Sequence, residues 1–342
     1  MHERWRKITN RLQELKHPFG LWPSWPDPRD FSFRVFAGAE PLPPAFSRKE
    51  EMPPVRNQGK LGTCVAHSVW AIKEWQERQQ RDNPKGGLSP RFIYQMAKQA
   101  DNIPAVPGTY PRVALKVAQD YGDCPERLLP YEGLASDVNL PPPPEAAIRA
   151  AEPYKISIYT QLHTLDELKR AIVEQGPVLV GVMVAESFLD AKSYIPPPGG
   201  KLLGGHAITL CGYDDNIKCG PYTGAVLIMN SWGTGWGQSG FSWIPYAAWV
   251  KPWWIDRDIG WPFIMEMWAC VDVPWTPKMA RWIVLKVDNP TAFVDGEYVQ
   301  LDMPPMIKDG RTLIPIRFVA ERMGYVVNWQ AQNKLVELRR PW

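Results

Sequence analysis

A chain of 342 residues exceeds what one small domain needs, so one large unit plus a smaller appendage is the first expectation. Its 39 Lys and Arg against 36 Asp and Glu leave a formal net charge of +3 with no long basic run, which excludes a charge-driven nucleic-acid or anionic-membrane partner. The 36 prolines and 17 tryptophans come without a Gly-X-Y period or a low-complexity tract, which excludes a collagen-like or disordered chain and leaves a loop-rich globular protein.

Residues 1–50 read as a leader or covering segment: a short amphipathic helix (Ile8, Leu12, Leu15), then the Pro-rich stretches LWPSWPDPRD and AEPLPPAF. This segment lacks the apolar core and cleavage site of a secretory signal, and no run of about 18 apolar residues predicts a membrane span. After QGKLG, the spacing of Val65, Val69, Ile72 and Trp75 predicts a helix from Cys64 to about Gln80 with one buried face. Further helices are expected after Ser89-Pro90, from Tyr110 to Asp120, and in LDELKRAIVEQG beyond the PPPP insert. From Pro177 the runs VLVGVMV, HAITLCGY, AVLIMNSW and GFSWIP read as strands of an antiparallel sheet or barrel. A Pro-rich joint near 273–278 precedes a module of about 60 residues with strands, a turn at Lys308-Asp309-Gly310 and a helix in FVAERMG.

The chemistry collects on four residues. Cys64 begins a helix, where unpaired amides favour a thiolate and lower the thiol pKa. Gly59 and Gly62 allow a tight turn that brings the Gln58 side-chain NH2 and the Cys64 amide to one point, as an oxyanion hole requires. His206, after Gly204-Gly205, is the best-placed general base; Asn230 can accept from its ring and fix the tautomer, with Trp232 screening that bond from water. His67, three residues into the Cys64 helix, reads as a core or cleft-wall histidine and is excluded from the catalytic pair. Cys124, Cys211, Cys219 and Cys270 lack CxxC spacing, so buried thiols or one disulfide are expected and no metal or other cofactor.

The motifs PVRNQGKLGTC, GGHAITLCGY and MNSWGTGWGQSG, in that order, resemble the papain-like cysteine peptidases over roughly residues 50–250. His206 lies about 140 residues after Cys64, within the roughly 130–150-residue span of that family. The resemblance implies an α+β, two-lobed fold with a helical left lobe and an antiparallel β-barrel right lobe, spanning residues 51–275. It also implies an endopeptidase that hydrolyses peptide bonds of a protein or peptide substrate through a Cys64 thioester. PGTYPRVAL is similar to the family segment that pairs with substrate backbone, which implies substrate-binding roles for Thr109, Tyr110 and Pro111 together with Gly181, Gly205, Ala207 and Trp232. Pro111, Gly181 and Ala207 are then expected to line an apolar, roomy pocket for the substrate side chain next but one to the scissile bond. Leu61, Val65 and Thr109 stand where the family has Cys, an aromatic and Gly, so the disulfide of secreted members is not expected.

Residues 279–342 resemble the copper amine oxidase N-terminal-like (stalk) domain, a small α+β accessory module of Gram-positive surface proteins, here without histidine and so without implied copper. That module implies cell-surface or polymer contact and an extracellular setting, whereas the missing signal peptide points to the cytoplasm. Acyl transfer to an amine, or a silent peptidase-like binding module, are the alternatives left open by the residues alone.

Overall fold

The computed structural model describes residues 20–27, 30, 41–80, 84–251, 253–256, 261–271, 283–294, 297–316, 318–319, 326–330 and 335–339. The helix expected around Ile8, Leu12 and Leu15, the joint at 273–278 and all but the first two residues of FVAERMG lie outside them. The chain forms two compact units, Met1–Asp272 and Val273–Trp342.

The first unit opens its sheet early: β1 (Ala45–Ser47) pairs with the distal half of the long strand described below, so residues 45–47 are part of the sheet itself. Helix α1 (Cys64–Gln80) differs from expectation, because every residue from Cys64 to Glu77 is buried and not just one stripe. It packs on helices to one side and the sheet to the other. Several of its polar side chains find partners inside: Lys73 pairs with Glu77, Glu74 accepts from the Leu88 amide at 2.8 Å, and Gln76 donates to the Cys270 carbonyl at 3.1 Å.

Helix α2 (Pro90–Ala100) is started by Ser89, whose Oγ accepts from the Phe92 amide, with proline in the first turn where no N–H is needed. Proline also begins α3 (Pro111–Asp120), and α4 (Glu145–Ala151) follows the PPPP insert. Past β2 (Ile158–Leu162), a Thr164/Glu167 capping box starts α5 (Leu165–Glu174).

The glycine-bounded apolar runs become strands: β3 (Val178–Ala185), which leads into the single turn α6 (Glu186–Leu189), then β4 (Leu202–Cys219), β5 (Tyr222–Met229) and β6 (Phe241–Pro245). After α7 (Ala247–Val250) and the hairpin β7 (Trp254–Asp256) and β8 (Trp261–Pro262), strand β9 (Ile264–Val271) returns to the sheet. The order is β2-β9-β3-β4-β5-β6, antiparallel throughout, with β1 on β4. Strand β3 is buried along its whole length between β9 and β4, which explains its continuous apolar run. In this register Gly181 stands opposite Ala207 on one side and Glu266 on the other, and Val182 stands opposite His206.

The second unit has a three-stranded sheet, β10 (Ile283–Val284), β11 (Thr291–Val294) and β12 (Glu297–Gln300), over buried Ala292, Phe293 and Leu301. Two hairpins follow, β13 (Met306–Lys308) with β14 (Arg311–Leu313), and β15 (Val326–Gln330) with β16 (Leu335–Arg339). The first turns at Asp309-Gly310, both at positive φ, as the sequence signal requires.

Candidate active site

Cys64 is the first residue of α1, and β4 crosses above it so that the Ala207 amide donates to its Sγ at 3.4 Å. Ala207 follows His206 in the chain, so one short stretch of β4 both contacts the thiol and carries the imidazole. His206 Nε2 lies 2.8 Å from Asn230 Oδ1. A carboxamide oxygen only accepts, so Nε2 carries the hydrogen and Nδ1 is the nitrogen that exchanges a proton. The same Oδ1 accepts from the Ser231 amide at 2.8 Å, which fixes the carboxamide. Trp232 covers the imidazole with ring centroids 4.7 Å apart and planes 30° apart, and Phe188 meets it edge-on. Trp232 therefore faces the histidine, in keeping with a screening role.

Gln58 is buried and held at both ends: Ser231 Oγ donates to its Oε1 at 2.6 Å, and its Nε2 donates one hydrogen to the Leu61 carbonyl at 2.8 Å. His67 points into its own helix turn, Nδ1 donating to the Thr63 carbonyl at 3.0 Å, and burial pushes its pKa down to about 4, so it stays neutral.

Cys64 corrects one expectation. Burial pushes its thiol up to about 12, against the opposing pull of the Ala207, Val65 and Cys64 amides. The helix terminus does favour the thiolate, but exclusion of water outweighs it. The cover is visible next to it: residues 20–27 run through the groove where substrate backbone was expected. The Trp22 amide donates to the Thr109 carbonyl at 3.0 Å, the Thr109 amide to the Gly20 carbonyl at 3.1 Å, and the Leu21 amide to the Gly205 carbonyl at 3.1 Å. Leu21 bridges Thr109 in parallel and is 3% exposed, in the same buried cluster as Cys64 and Ala207. The absence of side chains makes this fit: a Cβ on Gly205 would sit 2.4 Å from the Leu21 carbonyl oxygen, and one on Gly181 would sit 2.8 Å from Leu21 Cδ1. Thr109 keeps its backbone pairing although it carries a Cβ. Tyr110 packs near Trp22 and Met183, and Pro111 is buried at the start of α3.

A family model described as "Papain family cysteine protease" matches residues 42–248, more than half of the chain. The chain belongs to the papain family of cysteine proteases. It is a hydrolase, a cysteine peptidase, and a second model, "Copper amine oxidase N-terminal domain", matches residues 275–338. Among similar proteins, an uncharacterized peptidase C1-like protein of Acanthamoeba polyphaga mimivirus is 27% identical over 269 residues, covering 68% of this chain and 82% of that protein. Papain of Carica papaya is 27% identical over 202 residues, 57% of this chain and 52% of that protein. Among solved structures, xylellain, a cysteine protease from Xylella fastidiosa, superposes with a TM-score of 0.62 at 27% identity, covering 76% of this chain and 98% of that chain.

In this papain-family protease all five cysteines are buried thiols and none forms a disulfide, the first of the two states expected. One expectation needs adjustment. The pocket bounded by Gly181 is not wholly apolar, because the buried carboxylate of Glu266 borders it. Glu266 was legible only as a lone acid within the apolar strand IMEMWACV, a pattern that marks a buried charge in need of partners. Ser231, which holds Gln58, left no signal beyond its place after Asn230.

Proposed function

We propose that Cys64 is the nucleophile, His206 the general base and acid, Asn230 the residue that orients it, and Gln58 with the Cys64 amide the oxyanion hole of an endopeptidase. His206 Nδ1 takes the thiol proton as Sγ attacks the peptide carbonyl, then delivers it to the leaving amine as the C–N bond breaks. Water, deprotonated by the same nitrogen, attacks the thioester and releases the acid with the thiol restored. The observation that carries this reading is the compact stretch of β4 that places an amide on Cys64 Sγ and, one residue earlier, an imidazole locked by Asn230. Hydrolysis of unstructured protein substrates by the chain, with complete loss in Cys64→Ala, is the expected result; turnover by that variant ends the assignment.

Residues 20–27 act in this reading as a plug, since they occupy the backbone partners Thr109 and Gly205 that a substrate would use. Residues 273–342 serve as a surface-contact module. The exposed apolar side chains Ile307, Leu313, Ile314 and Ile316, on and next to the β13–β14 hairpin, support that role.

A further inference from the structure

We propose that His67 is a positioning residue for Asn230, acting through one buried water molecule that accepts from the Asn230 carboxamide and donates to the His67 ring. The inference rests on the catalytic reading above and adds a residue to it. In the site described so far the Asn230 side chain uses only its oxygen: Oδ1 takes the His206 Nε2 hydrogen and the Ser231 amide, each at 2.8 Å. Its Nδ2 is buried and meets no acceptor among the described residues.

His67 presents the complementary group. Its Nδ1 lies 3.0 Å from the Thr63 carbonyl, which only accepts, so Nδ1 carries the ring hydrogen. The neighbouring hydroxyls agree with this tautomer. Tyr131 donates to the Gln58 carbonyl at 2.8 Å, so its oxygen accepts from Thr63 Oγ1 at 2.7 Å, and Thr63 Oγ1, 3.3 Å from His67 Nδ1, has no hydrogen left for the ring. Nε2 is therefore a bare lone pair, and it too is buried with no donor among the described residues. Burial, with the nearby Arg56 charge, keeps the ring neutral and that lone pair free.

His67, Asn230 and Trp70 border one small cavity. It holds about 10 Å³ for the centre of a water-sized sphere, room for a single molecule. The Trp70 indole N–H is a third buried group with no partner among the described residues, and about three bonds is what a buried water typically makes. A water that donates to His67 Nε2 and accepts from Asn230 Nδ2 and Trp70 Nε1 satisfies all three. Leaving them dry would cost the desolvation of each. The consequence reaches the imidazole. Turned by half a rotation, the Asn230 carboxamide would set its NH2 against the His206 and Ser231 donors; the Ser231 amide opposes that turn on the oxygen side, and the water held by His67 opposes it on the nitrogen side.

The kinetic test uses the full chain with Leu21→Asp, which opens the groove, and dye-quenched casein as substrate. His67→Phe keeps a flat ring and removes the lone pair; kcat is expected to fall about tenfold with KM within about twofold, the behaviour of a group acting through its neighbour. His67→Gln, whose carbonyl oxygen reaches about as far as Nε2, is expected to recover most of that loss. Beside Asn230→Ala, His67→Phe is expected to cost nothing further, because the group it holds is gone. Unchanged kcat in His67→Phe, an equal loss in His67→Gln, or a loss that persists in full beside Asn230→Ala overturns the proposal, the last being the mark of simple packing. Diffraction from crystals of the unsubstituted chain tests the water without turnover: one water about 2.7–3.2 Å from both His67 Nε2 and Asn230 Nδ2 is expected, and a dry cavity or a water bonded to only one of them overturns the proposal. With that water in place but no hydrolysis by the open-groove chain, the catalytic assignment would fall and the link from His67 to Asn230 would survive it.

Discussion

Gln58 shows how a single side chain is prepared before any substrate arrives. With its oxygen held by Ser231 and one amide hydrogen held by Leu61, the carboxamide is fixed in place, and in the proposed mechanism its other N–H is the donor that serves the oxyanion without reorganisation. Gln58→Ala is therefore expected to lower kcat by about 10²- to 10³-fold with little change in KM, the usual cost of one oxyanion donor. Ser231→Ala keeps the donor but releases its anchor, and a loss of about tenfold, again in kcat, is expected for a group acting through its neighbour. If Ser231→Ala matched Gln58→Ala, or moved KM alone, the positioning argument would be wrong. Cys64, His206, Asn230 and Gln58 were proposed from sequence because each sits in a short motif whose glycines and order mark it. Glu266 and Leu21 were not, because their meaning depends on β9 lying beside β3 and on a segment more than 150 residues away from Gly181, which no local pattern encodes.

At the scale of elements, the helices and strands follow their signals closely. Ser89-Pro90, Tyr110-Pro111 and Thr164 each mark a helix start, and the apolar runs between glycines become the strands β3, β4 and β5. Periodicity failed for α1, where amphipathic spacing suggested one wet face. Lys73, Glu74, Gln76 and Glu77 look solvated in sequence, but Lys73 and Glu77 pair with each other, Glu74 accepts from the Leu88 amide and Gln76 donates to the Cys270 carbonyl, and a local pattern carries no information about such partners. The plug has a chemical consequence that a reagent can read. With the groove closed, the Cys64 thiol, pushed up to about 12, is almost wholly protonated near neutrality, and thiolate appears only as pH rises toward that value. Alkylation of Cys64 by iodoacetamide in the native chain should thus be slow at pH 7 and climb about tenfold per pH unit up to pH 10 without levelling. Leu21→Asp should remove most of the burial and bring a faster reaction that levels off at lower pH. Identical profiles for the two chains would show that the plug does not control the thiol.

The whole peptidase unit depends on the same segment in another way. Residues 20–27 bond to Thr109 beside α3, to Gly205 on β4 and to Glu266 on β9, and Arg112 of α3 reaches back to Trp25 and Asp30. The helical lobe and the sheet are thereby fastened to each other across the groove, in addition to the packing along α1. Leu21 is the most buried apolar anchor of this fastening, and moving such a side chain from water into the protein contributes about 1.5–3 kcal/mol. For a unit of this size 1 kcal/mol corresponds to about 2–4 °C in Tm, so Leu21→Asp is expected to lower the melting temperature of the peptidase unit by roughly 3–12 °C. Trp25→Ala, which keeps the carbonyl that Arg112 uses and removes only a partly exposed ring, should shift it by far less. Calorimetry of the three chains decides the matter. A Tm unchanged by Leu21→Asp, together with faster Cys64 alkylation, would mean that the segment covers the site without binding the lobes together, whereas a fall in Tm with faster alkylation makes the cover and the fastening one structure.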